Sequence, residues 1–532
     1  MAVKVLVSDG IAPEGMEALR AAEGVEVTDG TGWSREELLA RIGEYHGLIV
    51  RSATKVDAEL IEAARSLQVI GRAGVGVDNV DLAAATRRGI VVINSPEGNT
   101  VSTAEHTLAM MLALARRIPQ AYVSLVREGK WERSRFVGTQ LFGKTLGVIG
   151  LGRIGSEVAQ RAVALGMKVL AYDPLVNEER AKRVGVTLAT IEEICKAADF
   201  ITVHTPLIRE TEGLIGRREF DLMKPGVYVI NCARGGIIDE AALYDAIKSG
   251  KVAGAALDVF AQEPPKENPL LTLEQVIATP HLGASTHEAQ VSVAVDVVRS
   301  VVRALAGEPV KYAVNAPALR AAGVDGLAPY LKLAERLGHF FTSVFGGNFD
   351  RLEVVYRGDA GRFDEEALTS ALLKGMLEHM LHGTVNYVNA RYLAEERQMR
   401  IAVTKEGAGA TVSNSITVLG RLGERVRQVS GIVAGGQRPV ITDIDGYAVH
   451  VATEGRVLVA YNVDRPGIIG KVGTLLGEYG INIAFMQVGR KEIGSYAVMV
   501  LGIDNPLDDE ILQRLRGISD LRDVRLVEWP RG

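Results

Sequence analysis

The stretch "LGVIGLGRIGSEVAQ", residues 146–160, joins an apolar strand to a helix through three glycines spaced as G-x-G-x-x-G. Gly150 permits the tight turn, Gly152 lets the backbone approach a pyrophosphate, and Gly155 allows the helix to pack closely on the strand. The helix N-terminus offers free N–H groups to the phosphates. Asp173 ends the next strand, where its carboxylate would accept hydrogen bonds from an adenosine ribose and repel a 2′-phosphate. The stretch therefore predicts an NAD site.

This glycine motif begins more than a quarter of the way along a chain of 532 residues. Residues 1–95 alternate short apolar strands with helical patterns but lack the three glycines. The same alternation starts again at residue 145 and continues through six further strands. We infer that the motif opens a second domain inserted into the first. The predicted domains are residues 1–95 with 284–317, 96–283, 318–453 and 454–532. Because clefts between domains bind small ligands, the first lobe should hold substrate and the second lobe NAD.

The end of the chain has a different pattern. Residues 318–453 mix helices and strands, and the segment from residue 456 follows the order βαββαβ of a ferredoxin-like module. The predicted fold class is α/β, with two Rossmann-like doubly wound lobes, one of them discontinuous. An α+β domain and the ferredoxin-like module follow these lobes.

A long apolar helix is expected between the two lobes. Ser102 and Glu105 have the spacing of a capping box at its start, and Pro119 is expected to end it. Its most apolar stretch, "TLAMMLALA", is about half as long as a membrane span requires.

Composition excludes several classes of protein. The formal net charge is -5 with both signs interspersed, so no nucleic-acid partner is expected. Cys195 and Cys232 lack metal-ligand spacing, and no metal site is predicted. Few thiols and a start without a signal peptide indicate a cytoplasmic protein, with no membrane association.

Three polar residues follow strands of the glycine-motif domain, at the edge where parallel sheets bind ligands: Arg234, Glu263 and His281. Oxidising an alcohol to a ketone requires a base for the hydroxyl proton, and imidazole is the usual one. A carboxylate paired with that imidazole fixes its tautomer, and a guanidinium can bind a substrate carboxylate with two hydrogen bonds. We predict these three roles for His281, Glu263 and Arg234. The alternatives are a solvated loop acid at Glu263 and a phosphate or structural contact at Arg234.

Several long motifs resemble those of the D-isomer-specific 2-hydroxyacid dehydrogenases. They are "VIGLGRIGSEVAQRAVALGMKVLAYDP", "MKPGVYVINCARGGIIDEAAL", "GAALDVFAQEPP" and "TPHLGAST", and the similarity extends over residues 70–290. Within that family the chain resembles the long-form D-3-phosphoglycerate dehydrogenases. The resemblance implies that Arg234, Glu263 and His281 are catalytic.

The resemblance also implies binding residues. Those expected to contact NAD, besides the glycine motif and Asp173, are Arg153, Ile154, Thr205, Cys232, Ala233, Arg234, Asp258, His281, Leu282, Gly283 and Ala284. Those expected to contact substrate are Arg51, Ser52, Gly74, Val75, Asn99 and Arg133, the last as a phosphate contact. Val75 is a departure, since some relatives carry a threonine there that would contact the cofactor.

The tail resembles an ACT domain, a module that binds amino acids. The resemblance implies serine as an effector at an interface between two copies, contacted by Asn462, Asp464 and Asn482. Such side chains supply a carboxylate for the ammonium group and amides for the carboxylate and hydroxyl. The alternative is a tail that only dimerises. Residues 318–453 resemble the intervening domain of the long-form enzymes, which implies a role in oligomerisation and an anion or substrate effector; a homotetramer is favoured.

The implied activity is NAD-dependent oxidation of 3-phospho-D-glycerate to 3-phosphooxypyruvate, the first step of serine biosynthesis, with 2-oxoglutarate reduction as a reverse reaction. Two alternatives stay open at this point. One is a related glyoxylate or hydroxypyruvate reductase, and the other is a non-enzymatic module that senses NAD.

Overall fold

The structure is a computed structural model that describes residues 2–321, 324–347, 349–381, 385–407 and 414–529. Within these ranges the strands form four sheets, of five, seven, six and four strands in chain order. None of the helices in the described ranges is both long enough and apolar enough to cross a membrane.

The first lobe is a parallel sheet of strand order β2-β1-β3-β4-β5. Its strands are β1 (Val3–Val7), β2 (Val25–Asp29), β3 (Gly47–Val50), β4 (Val69–Arg72) and β5 (Val91–Asn94). Its helices are α1 (Pro13–Arg20), α2 (Arg35–Arg41), α3 (Ala58–Ala63) and α4 (Leu82–Arg87). The apolar pattern did not predict β2, because this edge strand, "VEVTD", carries polar side chains and is only half-buried.

The second lobe is a parallel sheet of order β12-β11-β10-β9-β6-β7-β8. Its strands are β6 (Thr145–Ile149), β7 (Lys168–Tyr172), β8 (Thr187–Leu188), β9 (Phe200–Val203), β10 (Val227–Asn231), β11 (Val252–Leu257) and β12 (Val276–Ala278). Its helices are α5 (Thr100–Ala115), α6 (Ile118–Tyr122), α7 (Arg153–Ala164), α8 (Glu178–Val184), α9 (Ile191–Ala197), α10 (Arg217–Leu222) and α11 (Glu240–Lys248). Six of these strands were predicted, and the two-residue β8 is additional.

The chain returns to the first lobe through α12 (His287–Leu305). Val297 and Val301 of this helix share a hydrophobic core with Val5 and Ile93 of the first sheet. The chain therefore crosses between the lobes twice, once before α5 and once before α12.

The predicted capping box at Ser102 and Glu105 is wrong. Helix α5 begins at Thr100, and its N-cap residue makes no side-chain capping bond. Ser102 lies inside the first turn, where its Oγ is 2.7 Å from Oγ1 of Thr286, the N-cap of α12. This hydroxyl pair joins the two interlobe crossings. Helix α5 ends at Ala115, and Pro119 lies in the first turn of α6.

The third region is a six-stranded sheet of order β14-β13-β15-β16-β17-β18, covered by helices. Its strands are β13 (Arg351–Arg357), β14 (Arg400–Glu406), β15 (Ser415–Leu422), β16 (Arg425–Ala434), β17 (Arg438–Ile444) and β18 (Tyr447–Ala452). Its helices are α13 (Pro317–Ala321), α14 (Ala328–Phe345), α15 (Glu365–Glu378) and α16 (Ala390–Glu396). Apart from the parallel pair β13–β14, its neighbouring strands are antiparallel.

The C-terminal module has the predicted βαββαβ order. Its antiparallel sheet, of order β20-β21-β19-β22, comprises β19 (Arg456–Val463), β20 (Ile483–Arg490), β21 (Tyr496–Ile503) and β22 (Leu521–Glu528). Helices α17 (Ile468–Glu478) and α18 (Asp509–Arg516) share one core with this sheet. Val459, Val500 and Val527 instead belong to the core that contains Leu337 and Phe340 of α14. The last two regions therefore pack as one hydrophobic unit.

Helices α14 and α15 approach each other through two glycines. A Cβ atom at Gly338 would lie 2.0 Å from the Leu372 carbonyl oxygen, and one at Gly375 would lie 2.0 Å from the Glu335 carbonyl oxygen. Backbone atoms cannot move aside as a flexible side chain can. The close helix contact therefore requires glycine at both positions.

We expect Gly338→Ala to lower the thermal unfolding midpoint by a few degrees, because overpacking costs about 1–3 kcal/mol. Gly473→Ala is the matched control, since its added Cβ meets no atom within 4 Å and alanine favours the helix by about 1 kcal/mol. Circular dichroism melting curves would measure both changes. Equal midpoints for the two variants would contradict the close packing.

Candidate active site

Two adjoining cavities lie between the lobes. The first, which we call the arginine-lined cavity, has a volume of about 710 Å³ and is lined by Arg51, Arg72 and Arg234. The second, the α7 cavity, has a volume of about 770 Å³ and reaches Arg153 at the start of α7. The residues that line both cavities are Val75, Gly76, Asp78, Asn99, Leu207, Arg234, His281 and Ala284.

His281 and Glu263 form a hydrogen-bonded pair at the junction of the cavities. Nδ1 of His281 lies 2.8 Å from Oε2 of Glu263, which leaves Nε2 available to a ligand. Burial opposes the ionisation of Glu263, but the hydrogen bond and the charge of His281, with the amide of Phe260, hold the pKa of its carboxyl below its usual value. The carboxylate is therefore charged at neutral pH and fixes the histidine ring.

A buried acid supports the turn that carries His281. The carboxylate of Asp258 accepts hydrogen bonds from the amides of Leu282 at 2.6 Å and Gly283 at 2.8 Å, and its carbonyl accepts the amide of His281 at 2.9 Å. Burial opposes ionisation, but bonds from the His106 ring, the Thr279 hydroxyl and these amides keep its carboxyl pKa below the usual range. Although Asp258 lines the α7 cavity, these contacts give it a structural role.

Arg234 follows β10 and reaches across the gap between the lobes. Its Nε donates to Oδ2 of Asp78 at 3.2 Å, and its Nη1 donates to the Ala233 carbonyl at 2.6 Å. The guanidinium lies against Gly76, where a Cβ atom would be 2.2 Å from Nη2. The structure thus brings Arg234, Glu263 and His281 to one cavity.

Arg72 is a cationic residue that sequence reasoning missed. It is the last residue of β4, and its side chain enters the arginine-lined cavity. Its Nε is buried and makes no hydrogen bond within the described residues. Burial, with the neighbouring charge of Arg234, lowers the pKa of Arg72 to about 10, which leaves it positively charged at neutral pH. Its position at a strand end was the available signal.

The turn between β6 and α7 fits a dinucleotide. Gly150 has φ +96°, which a residue with a side chain rarely adopts, and a Cβ at Gly152 would meet no atom within 4 Å. A Cβ at Gly155 would lie 2.0 Å from the Gly150 carbonyl oxygen, so helix and turn are in close contact. Thr205 Oγ1, in the lining of the α7 cavity, is buried without a hydrogen-bond partner in the described part of the chain. An orphaned hydroxyl beside an open glycine turn suits a phosphate ligand.

Asp173 follows β7 beside that turn. Its carboxylate accepts hydrogen bonds from the amides of Leu151 and Leu175, each at 2.9 Å. Because a carboxylate has about four acceptor positions, two remain for ribose hydroxyls.

The remaining predicted NAD contacts lie around the α7 cavity. Burial raises the pKa of the Cys232 thiol to about 12, so this side chain is uncharged where it lines the cavity. Leu282 is exposed and is not part of the lining of the α7 cavity. The predicted residues that line the cavity, besides those above, are Arg153, Ile154, Ala233, Gly283 and Ala284.

The structure brings all but one of the predicted substrate residues to the arginine-lined cavity. Its lining includes Arg51, Ser52, Gly74, Val75 and Asn99. Arg133 is the exception: it is exposed on the short 3-10 helix Arg133–Phe136 and lines neither cavity.

Comparison with known proteins identifies the family. Residues 108–283 match the NAD-binding domain of D-isomer specific 2-hydroxyacid dehydrogenases, residues 326–445 match the D-3-phosphoglycerate dehydrogenase intervening domain, and residues 456–520 match the ACT domain. D-3-phosphoglycerate dehydrogenase from Synechocystis sp. is 48% identical over 99% of this chain and 94% of its own length. The enzyme of the same name from Methanocaldococcus jannaschii is 45% identical over 99% of both chains.

The chain belongs to the D-3-phosphoglycerate dehydrogenase family. It is an enzyme, a dehydrogenase whose cofactor is NAD.

Two solved structures resemble more than half of this chain. D-lactate dehydrogenase from Aquifex aeolicus, complexed with NAD and lactic acid, is 32% identical with a TM-score of 0.51, over 57% of this chain and 96% of that chain. The TT0316 protein from Thermus thermophilus is 36% identical with a TM-score of 0.53, over 59% of this chain and 100% of that chain. The 2-hydroxyacid dehydrogenase fold is thereby established.

The predicted effector residues of this family member do not meet within one chain. Asn462 and Asp464 lie at one end of the ACT sheet, next to Arg490 at the end of β20. Asn482 lies at the opposite end, because it precedes the first residue of β20. Oδ1 of Asn462 is buried without a partner among the described residues. Asp464 forms an ion pair of 3.5 Å with Arg490, and Asn482 donates to Asp504. One site containing all three side chains would need two copies of the ACT domain.

No group of three or more His, Cys, Asp or Glu side chains in the described part of this dehydrogenase could hold a metal ion.

The lowered pKa of Glu263 makes a testable contribution to stability. A carboxyl whose folded pKa is depressed stabilises the protein above its unfolded pKa, about 4.3, and this contribution is lost as the pH falls through the folded value. The pair is partly exposed, so we expect Glu263→Gln to cost at most about 1 kcal/mol at pH 7. The difference in thermal midpoint from wild type should shrink as the pH falls below about 4.3, where the carboxyl becomes protonated.

Glu288→Gln, an exposed glutamate at the start of α12, is the control for this titration. A Glu263→Gln difference that failed to shrink as the pH fell below about 4.3 would contradict the lowered pKa of Glu263.

Proposed function

We propose that this dehydrogenase oxidises 3-phospho-D-glycerate to 3-phosphooxypyruvate with NAD⁺, the first step of serine biosynthesis. The observation that carries the proposal is the His281–Glu263 pair facing a cavity lined by three arginines. The full-length similarity to enzymes named D-3-phosphoglycerate dehydrogenase supports this choice of substrate.

His281 acts as the base. Because Nδ1 is bound to Glu263, Nε2 is the atom that accepts the proton of the substrate hydroxyl. Glu263 holds the ring in this tautomer and stabilises the imidazolium that forms. In the reverse direction the same Nε2 returns the proton to a carbonyl oxygen.

Arg234 binds the substrate carboxylate and polarises the adjacent carbon–oxygen bond, since a guanidinium matches a carboxylate with two parallel hydrogen bonds. Arg51 and Arg72 belong to the first lobe and line the same cavity, where their positive charges pair with the substrate phosphate. Ser52, Gly74, Val75 and Asn99 complete this side of the site. Arg133 is exposed and lines neither cavity, so its phosphate contact stays a prediction.

NAD⁺ bound in the α7 cavity would supply the acceptor for the hydride that leaves the hydroxyl-bearing carbon. The residues that would hold it are the glycine turn, Asp173 at the ribose, Thr205 and the α7 N-terminus at the phosphates, and the side chains around Cys232 and Gly283. His281 lines both cavities, so the base stands where substrate and cofactor meet.

The related reductases are less favoured. The solved glyoxylate reductase from Paecilomyes thermophila, 32% identical with a TM-score of 0.52, covers 57% of this chain, whereas the intervening and ACT domains account for much of the rest. 2-Oxoglutarate fits as a reverse substrate because it also carries a carboxylate and a second anionic group.

Initial rates over a panel of 2-hydroxy acids with NAD⁺ test the proposal, and 3-phosphoglycerate should give the highest kcat/KM. His281→Ala should lower kcat by a factor of the order of 100 or more, because it removes the base. NADH affinity, measured by fluorescence titration, should change little. A preference for lactate or glycerate, or equal loss of rate and NADH affinity, would contradict this account.

We further propose that serine is the effector and that it binds between two ACT domains, contacted by Asn462, Asp464 and Asn482. The opposite placement of Asn482 and Asp464 in one chain supports a site shared by two copies. Pairing through the ACT domains and through the lobes would give a homotetramer. Two buried free cysteines suit the reducing cytoplasm.

Point variants test the effector site better than truncation, because removing the ACT sheet would expose the core that it shares with α14. We expect Asp464→Asn to raise the serine concentration for half-inhibition by about tenfold or more, since it removes the negative charge that pairs with the serine ammonium. Asp509→Asn on α18 is the control and should keep wild-type inhibition. If serine inhibited the Asp464→Asn variant as strongly as the Asp509→Asn variant, Asp464 would be excluded from the effector site.

A further inference from the structure

Asp78 is an acidic side chain that lines the arginine-lined cavity. It lies between β4 and α4 on the first lobe, and its side chain is 65% exposed. Its Oδ2 accepts the Nε hydrogen of Arg234, which belongs to the second lobe, at 3.2 Å. The contact therefore crosses the cleft and joins the two lobes at the site.

The guanidinium of Arg234 is held on three sides. Asp78 binds Nε, the Ala233 carbonyl binds Nη1, and the backbone of Gly76 lies against Nη2. A Cβ atom at Gly76 would be 2.2 Å from Nη2 and 2.5 Å from Oδ2 of Asp78, so glycine is needed where these two groups meet. The remaining N–H groups of Nη1 and Nη2 are left for a ligand, with their plane already fixed.

We propose that Asp78 is a positioning residue that orients Arg234 toward the substrate carboxylate. The proposal rests on the proposed function insofar as the cavity must bind a 2-hydroxy acid. Asp78 does not contact the reacting atoms in this account. It acts through Arg234, and since it stands on the other lobe, it aligns the guanidinium only when the lobes are at their present separation.

A positioning role and a simple charge effect of Asp78 predict opposite changes in substrate affinity. Removing the negative charge of Asp78 would make the cavity more positive and would strengthen binding of an anionic substrate. Loss of orientation would weaken it. The sign of the change in KM therefore separates a positioning role from a general charge effect.

The test compares Asp78→Ala and Asp78→Asn with the wild type. We expect Asp78→Ala to raise KM for the 2-hydroxy acid by roughly 3- to 10-fold, and Asp78→Asn to raise it less, because the amide oxygen can still accept the Nε hydrogen. NADH affinity should be unchanged. Glu288→Gln, which removes one exposed carboxylate next to cavity residue Ala289, is the charge-matched control and should not raise KM.

A double-variant cycle shows whether Asp78 acts through Arg234. In an Arg234→Lys background, Asp78→Ala should have little further effect, because the fork-shaped guanidinium that it orients is gone. An undiminished effect in that background would overturn the proposal. A fall in KM, or no change, on Asp78→Ala alone would do the same.

Equilibrium binding of oxalate to the NADH-loaded protein provides a readout without turnover. Asp78→Ala should weaken oxalate binding by a factor similar to the rise in KM, and tighter binding would contradict the positioning role. If the wild type failed to oxidise 3-phosphoglycerate but oxidised another 2-hydroxy acid, the proposed substrate would be wrong. The oxalate measurement would still decide the role of Asp78, since the carboxylate is common to these substrates.

Discussion

The buried carboxylate of Asp258 is the constraint on which the arrangement of the site depends. His281 has φ +54°, a left-handed conformation that is unfavourable for a residue with a side chain. Such backbone geometry persists only where the surroundings determine it, and here the main chain and side chain of Asp258 hold three successive amides after Pro280. The strained turn directs the imidazole toward Glu263 on one side and the cleft on the other. The acid–base pair is therefore built by a group that does not take part in the chemistry.

The division of the chain into two lobes explains why a glycine motif opens so far from the N-terminus. One lobe supplies cationic side chains at the ends of β3 and β4, and the other supplies the histidine, the glutamate and Arg234. The hydroxyl contact between Ser102 and Thr286 links the two crossings, so the starts of α5 and α12 are adjacent. Motion of one lobe would change the distance between the anion-binding arginines and the base.

Sequence reasoning was most successful where backbone chemistry dictates the pattern. The glycines of residues 150–155 need their spacing for steric reasons, and residues at the carboxyl ends of parallel strands must share one edge, so the grouping of Arg234, Glu263 and His281 could be anticipated. Arg72 could not be singled out, because the pattern does not reveal which way a strand-end arginine points. Strand β2 was missed because an edge strand need not be apolar, and the capping box failed because the helix starts before the serine. The separation of Asn482 from Asp464 is set by strand register, which composition does not encode.

The central claim is that Nε2 of His281 meets the substrate oxygen while Arg234 binds the carboxylate. A crystal structure of the protein with NADH and oxalate tests it most directly. The account predicts Nε2 within about 3 Å of an oxalate oxygen, the guanidinium paired with a carboxylate, and the nicotinamide ring in the adjoining α7 cavity. A complex in which the imidazole points away from the ligand, or in which the coenzyme lies outside the α7 cavity, would contradict it.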